Sequence, residues 1–407
     1  MTTLSFCFPW HAARAPRLAM LAALAGACAA PAAMAAPSDA LHIYAGVGYF
    51  HDDNLFRLPQ ESRLSDSARY GIYGMFFDRS YSRQKIYLQA KLSKVKFSSF
   101  DQLDYDGKDL LGLWNWELGN RFEGSLGATY EQSLAPYIDF RSRERNLRVH
   151  KRQHADGAWK FHPAYRVRAG AARDTYRYEL EIQRFHDRSE DMVEVGFDYT
   201  PRSGSTAGLV ARRIKGKYDV KRIIAGAPLN DDFTQDELKV KVNWKVTGIT
   251  SIGLLAGYAR RRHEVLGARD ESGLNGRMSV SMNPRKKIRL NAALWREFAP
   301  IESTLVTYSL NRGVSVGATW DASAKLRVDA SASRERRGYE GRLAGTDAAP
   351  VSLKDTLSQA SLGATWSLRP TVQLNAALTH QRRTGAAFLG NGSFKSNLVS
   401  VNVNAQF

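Results

Sequence analysis

The last twelve residues, SNLVSVNVNAQF, alternate between apolar and polar up to the terminal Phe407. Val399, Val401, Val403, Ala405 and Phe407 share one parity, and Ser400, Asn402, Asn404 and Gln406 the other. An extended chain puts these two sets on opposite faces. The segment is therefore a strand with one greasy face and one wet face.

The same rhythm recurs. VEVGFDY sets Val193, Val195, Phe197 and Tyr199 against Glu194, Gly196 and Asp198, and LKVKVNWKV sets Leu238, Val240, Val242, Trp244 and Val246 against Lys239, Lys241, Asn243 and Lys245. Short turns fall at DRSYS, LGN, FHPA, TPRSG, VTG, PRK, DASA and LRP, and longer charged segments separate them. Eight hairpins, a first strand at LHIYAGVGYF and the last at SNLVSVNVNAQF make about 18 strands, or 16 if two weak segments fail to span.

In lipid every backbone group must be paired, so a sheet spans only by closing on itself, with an apolar outer face and a wet inner one. An even strand number puts both termini on one side, with the short turns periplasmic. The expected fold is all-β: a transmembrane antiparallel up-and-down β-barrel. Trp114, Trp116, Trp159, Trp244, Trp320 and Trp366 stand near short turns, as an interfacial aromatic girdle would. Val403, Ala405 and Phe407 resemble the C-terminal signal that bacterial barrel-assembly machinery recognises.

At the other end, Arg14 and Arg17 precede LAMLAALAGACAA, too short to span a bilayer, and PAAMAAP offers Ala33 and Ala35 as a cleavage site. Residues 1–35 are expected to be a removed signal peptide and 36–407 one outer-membrane β-barrel domain of a Gram-negative bacterium, with both termini periplasmic. Cys7 and Cys28 lie inside the signal, so the mature chain carries no cysteine.

The formal net charge is +18; without Arg14 and Arg17, and with no acid in residues 1–35, it becomes +16. Arg212 and Arg213, Arg260 to Arg262, Arg334, Arg336 and Arg337, and Arg382 and Arg383 stand where strands enter long loops, positions suited to gripping lipopolysaccharide phosphates. A second set, Arg166, Arg168, Lys239, Lys241, Lys245, Arg289 and Arg327, has inward parity. Such a lumen would favour anions or acidic glycans, unless the cations are neutralised by Glu117, Glu123, Asp198 and Asp329. Export to the membrane argues against nucleic acid as the partner of this charge.

Catalytic signals are thin. The sequence has no GxSxG elbow, no P-loop and no GxGxxG opening a helix, so no enzyme activity and no cofactor is expected. His150 and His154 in HKRQH read as a solvated loop rather than a metal site. Asp52, Asp53 and Asn54 could suit calcium, but the plainer reading is a loop capping the first strand.

HDDNLFRLP carries a resemblance, over Asp53, Asn54, Leu55, Phe56, Arg57 and Leu58. Together with the YSxQ turn at Tyr81 to Gln84, the LDYDG stretch and WNW, it resembles the EpsL-type outer-membrane proteins of exopolysaccharide operons in exosortase-containing bacteria. The match is clearest over residues 44–130. It implies a barrel taking part in exopolysaccharide secretion or assembly, with polysaccharide synthesis and export components as partners and no catalytic residues to carry over. A general diffusion porin for small anions is the alternative.

Overall fold

The computed structural model describes residues 40–139, 142–224, 227–264, 270–300, 308–339, 353–385 and 392–407. The expected signal peptide and most of the Gly-rich FLGNGSF segment lie outside the described residues.

The chain runs through β1 (Leu41–Asp52), β2 (Asp66–Tyr81), β3 (Gln84–Phe97), β4 (Tyr105–Leu118) and β5 (Phe122–Leu134). Next come β6 (Leu147–His162), β7 (Tyr165–Tyr178), β8 (Arg188–Tyr199) and β9 (Thr206–Tyr218), then a small loop hairpin of β10 (Arg222–Ile224) and β11 (Ala227–Leu229). β12 (Phe233–Lys245), β13 (Thr250–His263), β14 (Glu271–Arg285), β15 (Ile288–Pro300) and β16 (Tyr308–Asp321) follow. The series ends with β17 (Leu326–Tyr339), β18 (Leu353–Arg369), β19 (Val372–Gly385) and β20 (Phe394–Gln406). Each large strand pairs antiparallel with its neighbour, β9 joins β12, and β1 joins β20, so 18 strands close into one barrel. At the closure Tyr44 faces Gln406 and Asp52 faces Leu398, and Phe407 N donates to Ile43 O at 2.7 Å. Both ends of the barrel chain lie at its short-turn end.

The two parities separate as the alternation requires. On β8 Val193, Val195, Phe197 and Tyr199 are exposed on the outer wall while Glu194 and Asp198 are buried inside. On β12 Leu238, Val240 and Trp244 point out and Gln235, Glu237 and Lys239 point in. On β20 Val399, Val401 and Val403 are exposed and Ser400 and Asn402 buried, and Phe407 directly after it is exposed as well. This inversion of a water-soluble protein's polarity is stable only when the outer wall meets hydrocarbon. Trp114, Trp159, Trp244, Trp320 and Trp366 are all exposed outward at the short-turn end, with Trp116 half-buried among them. Trp295 breaks the pattern: it points inward near the long-loop end, where its Nε1 donates to Glu335 at 2.9 Å.

At the long-loop end the chain folds back into the barrel. The β1–β2 loop buries Leu55 and Phe56, and Phe56 meets Phe100 and Tyr137 edge-on, with ring centroids 4.8 and 5.1 Å apart. These residues join Phe50, Tyr70, Val95 and Phe97 in one apolar cluster. The apolar core among the described residues thus lies inside the barrel at its long-loop end, where loop residues pack on the inner faces of β1 to β3 and β20.

Candidate functional site

The inner wall carries a continuous chain of opposite charges. Lys160 on β6 contacts Glu123 on β5. Glu123 accepts from Arg166 Nη1 at 2.8 Å, and Arg166 Nε reaches Asp198 at 3.0 Å. Asp198 also takes Arg168 Nε at 3.1 Å, and Arg168 Nη1 reaches Glu194 at 3.2 Å. Glu194 then takes Arg212 at 2.9 Å, and Glu237 is shared by Arg212 at 3.3 Å and Lys239 at 2.8 Å. Lys239 finally donates to Asn275 on β14 at 2.9 Å. Five cations and four carboxylates alternate from the short-turn end up to mid-barrel, with a cation at each end.

The paired charges are not equally buried. Three of the four carboxylates are nearly fully buried beneath their cations: Asp198 is 2% exposed beneath Arg166 at 24%, Glu194 1% beneath Arg168 at 10% and Arg212 at 9%, and Glu237 3% beneath Lys239 at 6%, whereas Glu123, at 22%, is nearly as exposed as Arg166. Short acidic side chains stay near the backbone, and long basic ones reach past them into the lumen. The acids fix the position of the guanidinium groups, and the face presented to the lumen is cationic.

The seven residues expected to line the lumen divide. Arg166, Arg168 and Lys239 belong to the chain, and Lys241 is coupled electrostatically to Arg168 and Asp198 beside it. Arg289 and Arg327 share Asp321 at 3.0 and 2.8 Å near the short turns, apart from the chain. Lys245 is exposed at the short-turn rim. Of the expected neutralising acids, Glu123 and Asp198 pair with basic residues, whereas Asp329 accepts from Thr319 Oγ1 at 2.6 Å and Glu117 is exposed at the rim.

Arg212, Glu194 and Glu237 were not legible as a set. Yet Arg212 has the parity opposite to Arg213, and that alternation separates an inward arginine from an outward one. The same correction applies to the other loop-edge groups: Arg261, Arg337 and Arg383 are buried inside, while Arg260, Arg262, Arg334, Arg336 and Arg382 are exposed outside. HKRQH is also corrected: it lies on β6, with His150 facing in, hydrogen-bonded to Asp174 at 2.9 Å and stacked on Tyr176 at 4.3 Å.

Above the chain, the β5–β6 loop crosses the lumen. Its Asp139 accepts from Arg337 on β17 at 2.7 Å and from Arg383 on β19 at 3.4 Å, and Ile138 O takes Arg383 Nη1 at 2.5 Å. Arg383 also contacts Asp355 on β18, and Arg337 contacts Glu335 at 3.0 Å. The inner wall of β16 to β18 is chemically different, with Ser315, Gly317, Ser331, Ser333, Gln359 and Ser361 in facing register.

The DNLFRL residues are structural in this arrangement. Asp52 takes Arg57 Nη1 at 2.8 Å and Ser396 Oγ at 2.7 Å, and Asn54 Nδ2 donates to Leu58 O at 2.7 Å and Lys395 O at 2.8 Å. Arg57 adopts a left-handed φ of 56° and reaches Gln381 Oε1 at 3.1 Å. That conformation costs a non-glycine residue roughly 1–2 kcal/mol, offset here by its buried contacts. Asp52 and Asp53 are directed at separate protein donors and do not converge on a common ion position.

No family model and no curated relative matches the chain. Solved structures do. The outer membrane protein opdK from Pseudomonas aeruginosa aligns with TM-score 0.50 at 12% identity, over 91% of this chain and 99% of that one. OpdK from the same organism with vanillate aligns with TM-score 0.50 at 11% identity, over 90% and 99%. Pseudomonas aeruginosa OccK2 aligns with TM-score 0.49 at 13% identity, over 90% and 98%. At such identity the likeness concerns the fold alone, in agreement with the closed 18-stranded barrel.

Proposed function

We propose that this protein is an outer-membrane channel for small anions, set in a Gram-negative outer membrane with its long loops outside and both termini periplasmic. The observation that carries this is the order of burial along the charged chain, with carboxylates beneath and cations above. A solute carrying a carboxylate or phosphate meets successive guanidinium groups whose own partners keep them in place. The shared fold with opdK, also solved with vanillate, agrees with a porin-like role. The reading requires neither catalysis nor cofactor.

Liposomes holding the purified barrel should swell in isosmotic organic anions faster than in cations or neutral solutes of equal size. Equal rates for all three would remove the anion reading.

A second reading, participation in exopolysaccharide secretion or assembly together with synthesis and export components, rests on the DNLFRL resemblance. One feature favours a glycan solute: the hydroxyl and amide lining of β16 to β18, in which Ser331 and Ser361 hydroxyls lie 2.7 Å apart. Such a lining matches the donors and acceptors of sugar hydroxyls. Deletion of the gene should then lower surface polysaccharide; an unchanged amount leaves only the small-anion channel.

A further inference from the structure

The charged chain in the lumen has only one cation in excess, so it does not account for a net charge of +18. The outer wall accounts for much more. Near the long-loop end, Arg213 on β9, Arg260 and Arg262 on β13, Arg334 and Arg336 on β17 and Arg382 on β19 all point outward and are exposed. Below them the same outer faces are apolar, with Leu209, Tyr258, Leu326 and Leu378 exposed. The change from hydrocarbon-compatible to cationic surface occurs within a few residues on each strand, at one level of the barrel. Asp236 lies within this sector, and it holds Arg213 at 2.6 Å and Arg262 at 2.9 Å, fixing two guanidinium groups side by side.

A second feature lies on the same outer wall. An open apolar groove of about 510 Å³ crosses β1 to β6. Ala90, Gly112 and Ala128 form its floor because their side chains are small, and Leu88 and Leu110 flank it. Lys151 stands at its long-loop end, with its ammonium 5.6 Å from the Tyr130 ring centre.

We infer that the outer wall binds lipopolysaccharide of the outer leaflet at two places: phosphates at the outward arginines of β9 to β19 and, on the separate β1 to β6 sector, a headgroup at Lys151 with one acyl chain in the groove below it. Arginine suits this role because its planar fork binds phosphate oxygens bidentately. Cations held against an anionic lipid surface contribute about 1 kcal/mol each, or about fivefold in affinity. The guanidinium groups of Arg213 and Arg262, held side by side by Asp236, suit a headgroup carrying several phosphates over a lipid carrying one, and the groove adds a defined place for an acyl chain. This inference concerns the outer wall and does not depend on what crosses the lumen.

The test titrates the delipidated, folded full-length barrel with lipopolysaccharide in neutral detergent micelles and, separately, with phosphatidylglycerol, reading binding by the shift in thermal unfolding. Native protein should bind lipopolysaccharide well above phosphatidylglycerol. The Arg213→Gln/Arg262→Gln/Arg336→Gln variant should bind it at least about tenfold more weakly, with heat-modifiable migration retained. Ala128→Trp, which fills the groove, should weaken binding of intact lipopolysaccharide but not of the deacylated saccharide. If the triple variant does not fold, Arg336→Gln and Arg382→Gln singly should each lose about fivefold. Undiminished binding in these variants, or equal binding of phosphatidylglycerol by native protein, overturns the inference.

Discussion

Asp53, directly after β1, and Asn397, on β20, hold one another across the barrel's closing seam: the Asp53 carboxylate accepts from the Asn397 backbone N and from its Nδ2, both at 2.7 Å, and Asp53 N donates to Asn397 O at 3.0 Å. With Asp52–Ser396 and Asn54–Lys395 beside it, this bond set fastens the first strand to the last at the long-loop end. Asp53→Ala should lower unfolding stability by about 1–2 kcal/mol, the loss expected for hydrogen bonds to a part-exposed carboxylate. Urea unfolding from lipid vesicles reads it. An unchanged midpoint would mean that backbone pairing alone holds the seam.

Arg383 fastens the crossing loop from the opposite wall. Replacing it with Met leaves Asp139 and Asp355 buried with fewer donors, a change that costs about 3–5 kcal/mol in buried ion pairs. With the loop released, single-channel conductance should rise and become noisier. Native conductance in Arg383→Met would show that this loop does not limit flow.

Phe407 is exposed and bonded through its backbone to Ile43, and we propose that with Val403 and Ala405 it acts as a signal for barrel assembly. Phe407→Asp should reduce the amount of heat-modifiable barrel in the membrane while synthesis continues. Native levels of inserted protein would sink the assembly role.

The strand number was legible because alternation must hold along every strand when one wall meets lipid and the other water, and because eight tight turns punctuate the chain. Lys245, expected in the lumen, lies at the rim, and Arg212 and Arg383, expected to grip lipopolysaccharide, turn inward; parity within each strand separates such arginines from their outward neighbours. The charged chain was not. Glu194 joins Arg168 to Arg212 only because Arg168 stands opposite Gly196 and Glu194 opposite Arg212, a register set by the connections between the three strands and not by any one segment. The loop crossing was further out of reach: Asp139 and Arg337 are 198 positions apart in sequence, and nothing local to either marks the other.

The central claim is that pinned arginines above buried carboxylates make the lumen prefer anions, and the reversal potential across a planar bilayer under a potassium chloride gradient tests it most directly. Native protein should show anion preference that weakens with salt, because the Debye length falls from about 10 Å at 0.1 M to about 3 Å at 1 M. Arg166→Gln, the most exposed of the chain's arginines, should shift the potential toward cations, and Arg166→Gln/Arg168→Gln/Arg212→Gln, which uncovers Glu123, Asp198 and Glu194, should shift it further. A cation-preferring native channel, or an unshifted potential in the folded variants at low salt, would contradict the account.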